Sequence, residues 1–183
     1  MNTTANSATS RRVLDPAHSE QQFKVTHLMI SKVTGSFTRF NVEAETPGSD
    51  FTLASRIIFT AEAASVSTHD ASRDNHLRSA EFFDADHYPV LRFEGTRLEP
   101  HRDHYHLHGA LTIRGTTRPI TLKAEYPALV VDFHGQTKAG FTVEGKLSRK
   151  AYGLTWSVLT EAGVVVVGDE VKILAEIQLV KAG

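Results

Sequence analysis

Residues 104–126 read HYHLHGALTIRGTTRPITLKAEY. Tyr105, Leu107, Gly109, Leu111 and Ile113 fall on one side of an extended chain, and His106, His108, Ala110, Thr112 and Arg114 fall on the other. After the turn Gly115-Thr116-Thr117-Arg118-Pro119, Ile120, Leu122, Ala124 and Tyr126 oppose Thr121, Lys123 and Glu125. Successive side chains of a strand point to opposite faces, so this is the pattern of two antiparallel strands sharing one apolar face.

The same period runs outward in both directions. Phe23, Val25 and His27 share a face against Lys24, Thr26 and Leu28, and Phe37 to Val42 is a further extended run. Beyond the turn Pro47-Gly48-Ser49-Asp50, Leu53, Ser55, Ile57 and Phe59 alternate with Thr52, Ala54, Arg56 and Ile58. Leu91 and Phe93 oppose Arg92 and Glu94; Phe141, Val143, Gly145 and Leu147 oppose Thr142, Glu144 and Lys146. Val171, Ile173, Ala175, Ile177 and Leu179 form the last apolar row. About eight strands with mostly hairpin-length connections imply an all-β fold whose sheet is wetted on one side. Eight antiparallel strands suffice to close a β-barrel whose interior can hold one ligand, and a two-sheet sandwich is the competing architecture. Two short helices are expected, near Arg73–Ala80 and Arg149–Leu154.

Composition bounds the function. The 183 residues carry 20 basic and 21 acidic side chains, a net charge of −1, which argues against nucleic acid as the main partner. No stretch is long and apolar enough for a membrane-spanning helix. No cysteine is present, which excludes disulfides and thiolate metal sites. The first twelve residues, MNTTANSATSRR, are small and polar with no apolar segment of a secretory signal, so residues 1–12 are expected to be a disordered tail. Residues 13–183 are then one barrel domain, and a cytoplasmic location is expected.

One segment breaks the alternation. Residues 70–89, DASRDNHLRSAEFFDADHYP, place Arg73, Asp74, His76, Leu77 and Arg78 before Phe82, Phe83 and Tyr88. Charge beside aromatics suits a mouth over an apolar space. Arg73, His76 and Arg78 could hold a polar head group, since arginine binds phosphate in a bidentate way; the same charges could instead fix the loop itself. Phe82 and Phe83 could line a tunnel or plug it. His27 shares its face with Phe23 and Val25, which fits a ligand contact or a hydrogen-bonded core histidine. Phe93, Leu111 and Phe141 are inward wall positions, and Trp156 is a tunnel or rim residue. Gly109, Gly145, Ala124 and Ala175 on the inward face either leave room for a ligand or mark close approach of neighbours. His101, His104, His106 and His108 crowd one hairpin, but their face is the outer one, so no resident metal or other cofactor is expected. No nucleophile elbow, phosphate loop or zinc-protease motif is present.

In chain order, Asp15-Pro16-Ala17-His18-Ser19, Phe23-Lys24-Val25-Thr26-His27-Leu28, Val33-Thr34-Gly35-Ser36-Phe37, Arg73-Asp74-Asn75-His76-Leu77-Arg78-Ser79, Tyr88-Pro89-Val90-Leu91-Arg92-Phe93, Ser148-Arg149-Lys150-Ala151-Tyr152-Gly153-Leu154 and Val167-Gly168-Asp169-Glu170-Val171-Lys172-Ile173 carry a resemblance. The chain resembles the YceI-like, polyisoprenoid-binding, lipocalin-like proteins. The resemblance implies an extended, lipocalin-like antiparallel eight-stranded β-barrel around a long apolar tunnel, and a non-catalytic protein that sequesters or carries a polyisoprenoid, isoprenoid quinone or fatty-acyl compound. It also implies a homodimer as a common assembly. The competing function is an enzyme acting on a lipophilic substrate, with His27, Asp74, His76 and Tyr152 as acid and base groups.

Overall fold

A computed structural model describes residues 9–54 and 56–183. Among them run eleven strands: β1 (Thr9–Leu14), β2 (Glu20–His27), β3 (Ser31–Phe37), β4 (Phe40–Pro47), β5 (Arg56–Glu62), β6 (Val66–Ser67), β7 (Val90–His101), β8 (His104–Ile113), β9 (Thr116–Val131), β10 (Thr137–Ser148) and β11 (Val167–Lys181). One α-helix, α1 (Ala71–Arg78), lies between β6 and β7. The order β1-β4-β5-β7-β8-β9-β10-β11, with β11 returning to β1, is a closed antiparallel barrel of eight strands. Closure settles the architecture in favour of the barrel over the sandwich.

Eleven segments make eight staves because three staves are broken: β1 into β2, β3 into β4, and β5 into β6, the last at the 3-10 turn Ala63–Ser65, with β5 on β4 and β6 on β3. The end of β11 pairs with β1 (Leu14↔Leu179) and its beginning with β2 (Phe23↔Ile173), so β1 and β2 follow one another along the same neighbour. A 3-10 turn at Pro16–His18 joins them, capped by Asp15, which accepts from the Ala17 amide. The Asp15 carboxylate also accepts from Lys138 Nζ (3.2 Å) and Gln178 Nε2 (3.0 Å), which locks the joint to β10 and β11. β3 and β4 break in the same way at Thr38-Arg39 and pair with β2 and β1 respectively.

Residues 9–12, expected to be part of a disordered tail, are ordered. Thr9 to Arg12 are strand, paired to β4 from Thr9↔Pro47 to Arg12↔Ala44; residues 1–8 lie outside the described residues. Arg12 is only 2% exposed, and its Nε and Nη1 have no hydrogen-bond partner among the described residues. Its guanidinium lies 4.9 Å over the Phe51 ring, whose electron-rich face offsets part of the lost hydration. The strand expected from Thr52 starts only at Arg56, because Asp50 caps a 3-10 turn at Phe51–Leu53 through the Thr52 amide; Ser55 lies outside the described residues. The helix expected at Arg73–Ala80 is α1, and that at Arg149–Leu154 is a single 3-10 turn, Lys150–Tyr152, ended by Gly153 at φ 80°.

Alternation fills the interior as the sequence requires. Leu91, Phe93, Leu107, Leu111, Ile113 and Leu122 are buried, and their outward neighbours Arg92, His108, Thr112 and Thr121 are not. Gly109 and Gly145 do not open space. A Cβ at Gly109 would meet the Phe93 ring at 2.6 Å and overlap the Glu94 carbonyl, and one at Gly145 would overlap Leu122. These glycines seat neighbouring side chains. Gly109→Ala is expected to cost about 1–3 kcal/mol of stability by overpacking, read as a lower urea midpoint. Gly140→Ala, where nothing lies within 4 Å, is the neutral comparison.

Candidate functional site

The interior is not filled throughout. A cavity of about 390 Å³ runs through the barrel. Its wall takes Val25 and His27 from β2, Phe59 from β5, Phe93 from β7, Leu111 from β8, Val143 from β10, and Val171, Ile173, Ala175 and Ile177 from β11. From Val167 to Ile177 it follows roughly 30 Å of strand at ~3.3 Å per residue. A tight aromatic set closes the far end: Phe141 stacks on Tyr126 at 5.0 Å and meets Phe51 at 5.4 Å. Phe141 is therefore part of this plug and not of the cavity wall, a correction to its expected role. Its position is inward, but the Phe51 turn covers the barrel there.

At the other end α1 forms the cover, and its charges hold it in place. The Asp70 carboxylate caps the helix at the Arg73 amide (2.9 Å). Asp74 is buried and accepts from the Thr68 amide (2.8 Å) and hydroxyl (2.6 Å). Arg73 donates through Nε to Thr68 Oγ1 (2.7 Å) and through Nη2 to the Thr68 carbonyl (3.0 Å), while still lining the cavity. Arg78 donates to the carbonyls of Ala64 (2.8 Å) and Val66 (3.2 Å) and does not reach the cavity, which corrects its expected contact with ligand. Its guanidinium is spent on fastening α1 to β6.

The remaining candidates converge. His76 stands edge-on to both Phe82 and Trp156, each at 4.9 Å, and its Nε2 meets Glu81 at 2.5 Å. Leu77, Phe82, Phe83 and Trp156 all line the cavity, and Phe83 packs edge-on to Phe37 at 5.4 Å. His27 also faces the cavity, and its ring makes no hydrogen bond among the described residues. The four acid and base candidates form no unit: among the described residues no hydrogen bond joins His27, Asp74, His76 and Tyr152. Tyr152 is buried outside the cavity, and burial raises its phenol pKa.

Arg149 is the wall residue that sequence reading passed over. It is 3% exposed and donates to four carbonyls: Gly168 (2.8 Å), Leu154 (2.7 Å), Trp156 (2.7 Å) and Val167 (3.1 Å). It thereby pins Trp156 and the start of β11 together. Only its place in the Ser148–Leu154 motif hinted at this, because four carbonyls from two distant segments leave no sequence pattern. Beside it, burial pushes the Asp169 carboxyl up, but the Ser148 hydroxyl, the Lys150 amide and the Arg149 and Lys150 charges outweigh burial and leave its pKa lowered. A lowered folded-state pKa gives stability that is complete above the ordinary aspartate value and is lost as pH falls through the lowered one. Urea midpoints measured downward from pH 5 should therefore fall more steeply for the wild type than for Asp169→Asn.

The profile of the YceI-like domain matches residues 13–179. The chain belongs to the YceI-like family. A UPF0312 protein of Staphylococcus aureus is 34% identical over 159 residues, 86% of this chain and 90% of the relative. Among solved structures, the YCEI protein of Campylobacter jejuni superposes with a TM-score of 0.72 at 29% identity, over 93% of this chain and 97% of that one. A polyisoprenoid binding domain from Saccharophagus degradans, implicated in plant cell wall breakdown, gives a TM-score of 0.68 at 14% identity over 93% of this chain and 98% of that one. At that identity the likeness is one of fold. The closed ring is thus that of the YceI-like barrels.

Proposed function

We propose that this protein binds one long lipophile inside the barrel and releases it unchanged. The observation that carries this reading is the continuous apolar cavity of about 390 Å³, a size in the usual range of small-molecule sites. Each buried methylene is worth about 0.8 kcal/mol, so a tail of roughly fifteen contributes about 12 kcal/mol, which after an association cost of about 4 kcal/mol leaves micromolar binding with few polar contacts. The tail lies between Phe59, Phe93, Leu111 and Ile173. The polar end sits near His27 and Arg73, where α1 and Trp156 meet. The polyisoprenoid binding of the Saccharophagus degradans domain supports an isoprenoid or isoprenoid quinone as ligand, and fatty-acyl compounds offer the same apolar chain.

Titration with a fluorescent long-chain fatty acid, followed by competition with polyprenols, isoprenoid quinones and unlabelled fatty acids, tests the reading. Saturable uptake of one probe per chain, displaced by at least one of these classes, is expected. No uptake of the probe by delipidated protein would refute it.

A further inference from the structure

The β7–β8 hairpin carries a second cluster, remote from the cavity mouth. Arg114, just beyond the far end of β8, bonds the carbonyls of Phe82 and Gly153 beside α1, so the hairpin tip lies at the opposite end of the barrel. At that tip His101 is the cross-strand partner of His104, and His106 follows two positions along β8 on the same outer face. The His101 and His106 rings stack at 4.3 Å, and His104 lies 5.1 Å from His101 and 5.2 Å from His106. One nitrogen of each ring lies within 4.8 Å of the others.

We propose that His101, His104 and His106 form a site for a divalent transition-metal ion, with zinc as its reference occupant. This departs from the expectation from sequence, which noted all four histidines of the hairpin, His108 included, and expected no resident metal. Zinc bonds imidazole nitrogen at about 2.1 Å in tetrahedral geometry, which asks for nitrogens about 3.4 Å apart. Small rotations of partly exposed rings on one rigid hairpin close that difference.

The surroundings fit a cation. Asp103 accepts from His104 Nδ1 at 3.0 Å, which leaves Nε2 as the nitrogen with a free lone pair; a carboxylate orienting a ligand imidazole is the usual support in metal sites. Glu99, the cross-strand partner of His106, is already compensated by Arg97 at 2.7 Å, so Asp103 is the carboxylate that supports the cluster. Lys123, the partner of His106 on β9, is paired with Glu125 at 2.6 Å, so its ammonium is already compensated. His108 turns away to Glu99 (2.9 Å) and Thr121 (3.0 Å) and stays outside the set. Three imidazoles leave a fourth position for water or an exchangeable ligand.

Calorimetric titration of tag-free protein with zinc chloride tests the site, with far-UV circular dichroism confirming that each variant is folded. The expected result is one equivalent per chain with micromolar or tighter affinity, and no heat from magnesium, which prefers oxygen ligands. His101→Ala, His104→Ala and His106→Ala should each weaken zinc binding at least about tenfold, and Asp103→Asn, which keeps all three rings but frees His104, by about tenfold at unchanged thermal midpoint. His18→Ala and His87→Ala should bind as the wild type does. Several weak equivalents only, the mark of an adventitious ion, or equal binding by the triple alanine variant, would overturn the proposal.

Discussion

Ala175→Phe is expected to abolish uptake of a long-chain probe while the barrel stays folded. Ala175 lies on β11 between Ile173 and Ile177, opposite Val143 on β10 and Gln21 on β2, and faces the cavity. A phenyl ring there enters free volume rather than packed side chains, so the overpacking cost stays at the low end of about 1–3 kcal/mol. The same ring removes the section of tunnel that a tail must cross. Probe affinity should drop at least about tenfold, because losing two methylenes of burial already costs roughly 1.6 kcal/mol, and thermal unfolding should remain cooperative. Unchanged probe binding by a folded variant would place the ligand outside the barrel.

The largest stability effect is expected at Arg149. Arg149→Met keeps the bulk of the side chain but removes the donors to Gly168, Leu154, Trp156 and Val167. A buried carbonyl that loses its donor costs about 1–3 kcal/mol, and losing a charged donor lies toward the upper part of that range. Some of the freed carbonyls turn to water, so a total of about 3–5 kcal/mol is expected. At about 2–4 °C per kcal/mol for a chain of this size, the melting temperature should fall by roughly 10 °C or more. Trp156 should loosen with it, which is visible as a red-shifted emission, since Trp156 is the one tryptophan of the chain. Arg149→Lys should recover little, because one ammonium cannot span four carbonyls.

What the sequence made legible was whatever repeats along one strand. The inward rows of β8 to β11, including Leu111, Ile173 and Ala175, follow from period two alone; their number allowed a ring of eight or a two-sheet sandwich, and the β1–β11 pairing decides for the ring. The break at Asp70–Pro89 located the cover because neither periodicity nor β-branched residues continue there. Other features depend on what a residue meets across the barrel. Arg12 reads as part of a polar tail until β4 and β11 bury it. Gly109 and Gly145 read either as room for a ligand or as close approach of neighbours until Phe93 and Leu122 are seen to fill the space. Phe141 and Phe93 have the same inward pattern, and only the Phe51 turn separates plug from tunnel wall. Arg73 and Arg78 stand five residues apart in one motif, yet only Arg73 borders the cavity, because α1 turns Arg78 toward Ala64 and Val66.

The most direct measurement is native mass spectrometry of the protein purified without detergent from its own host, followed by organic extraction and analysis of what is released. A single long-chain lipophile bound at one per chain, recovered chemically unchanged and absent from Ala175→Phe, is the predicted result. Protein that carries no lipophile, and that takes up neither polyprenol, quinone nor fatty acid when these are offered, would contradict the account.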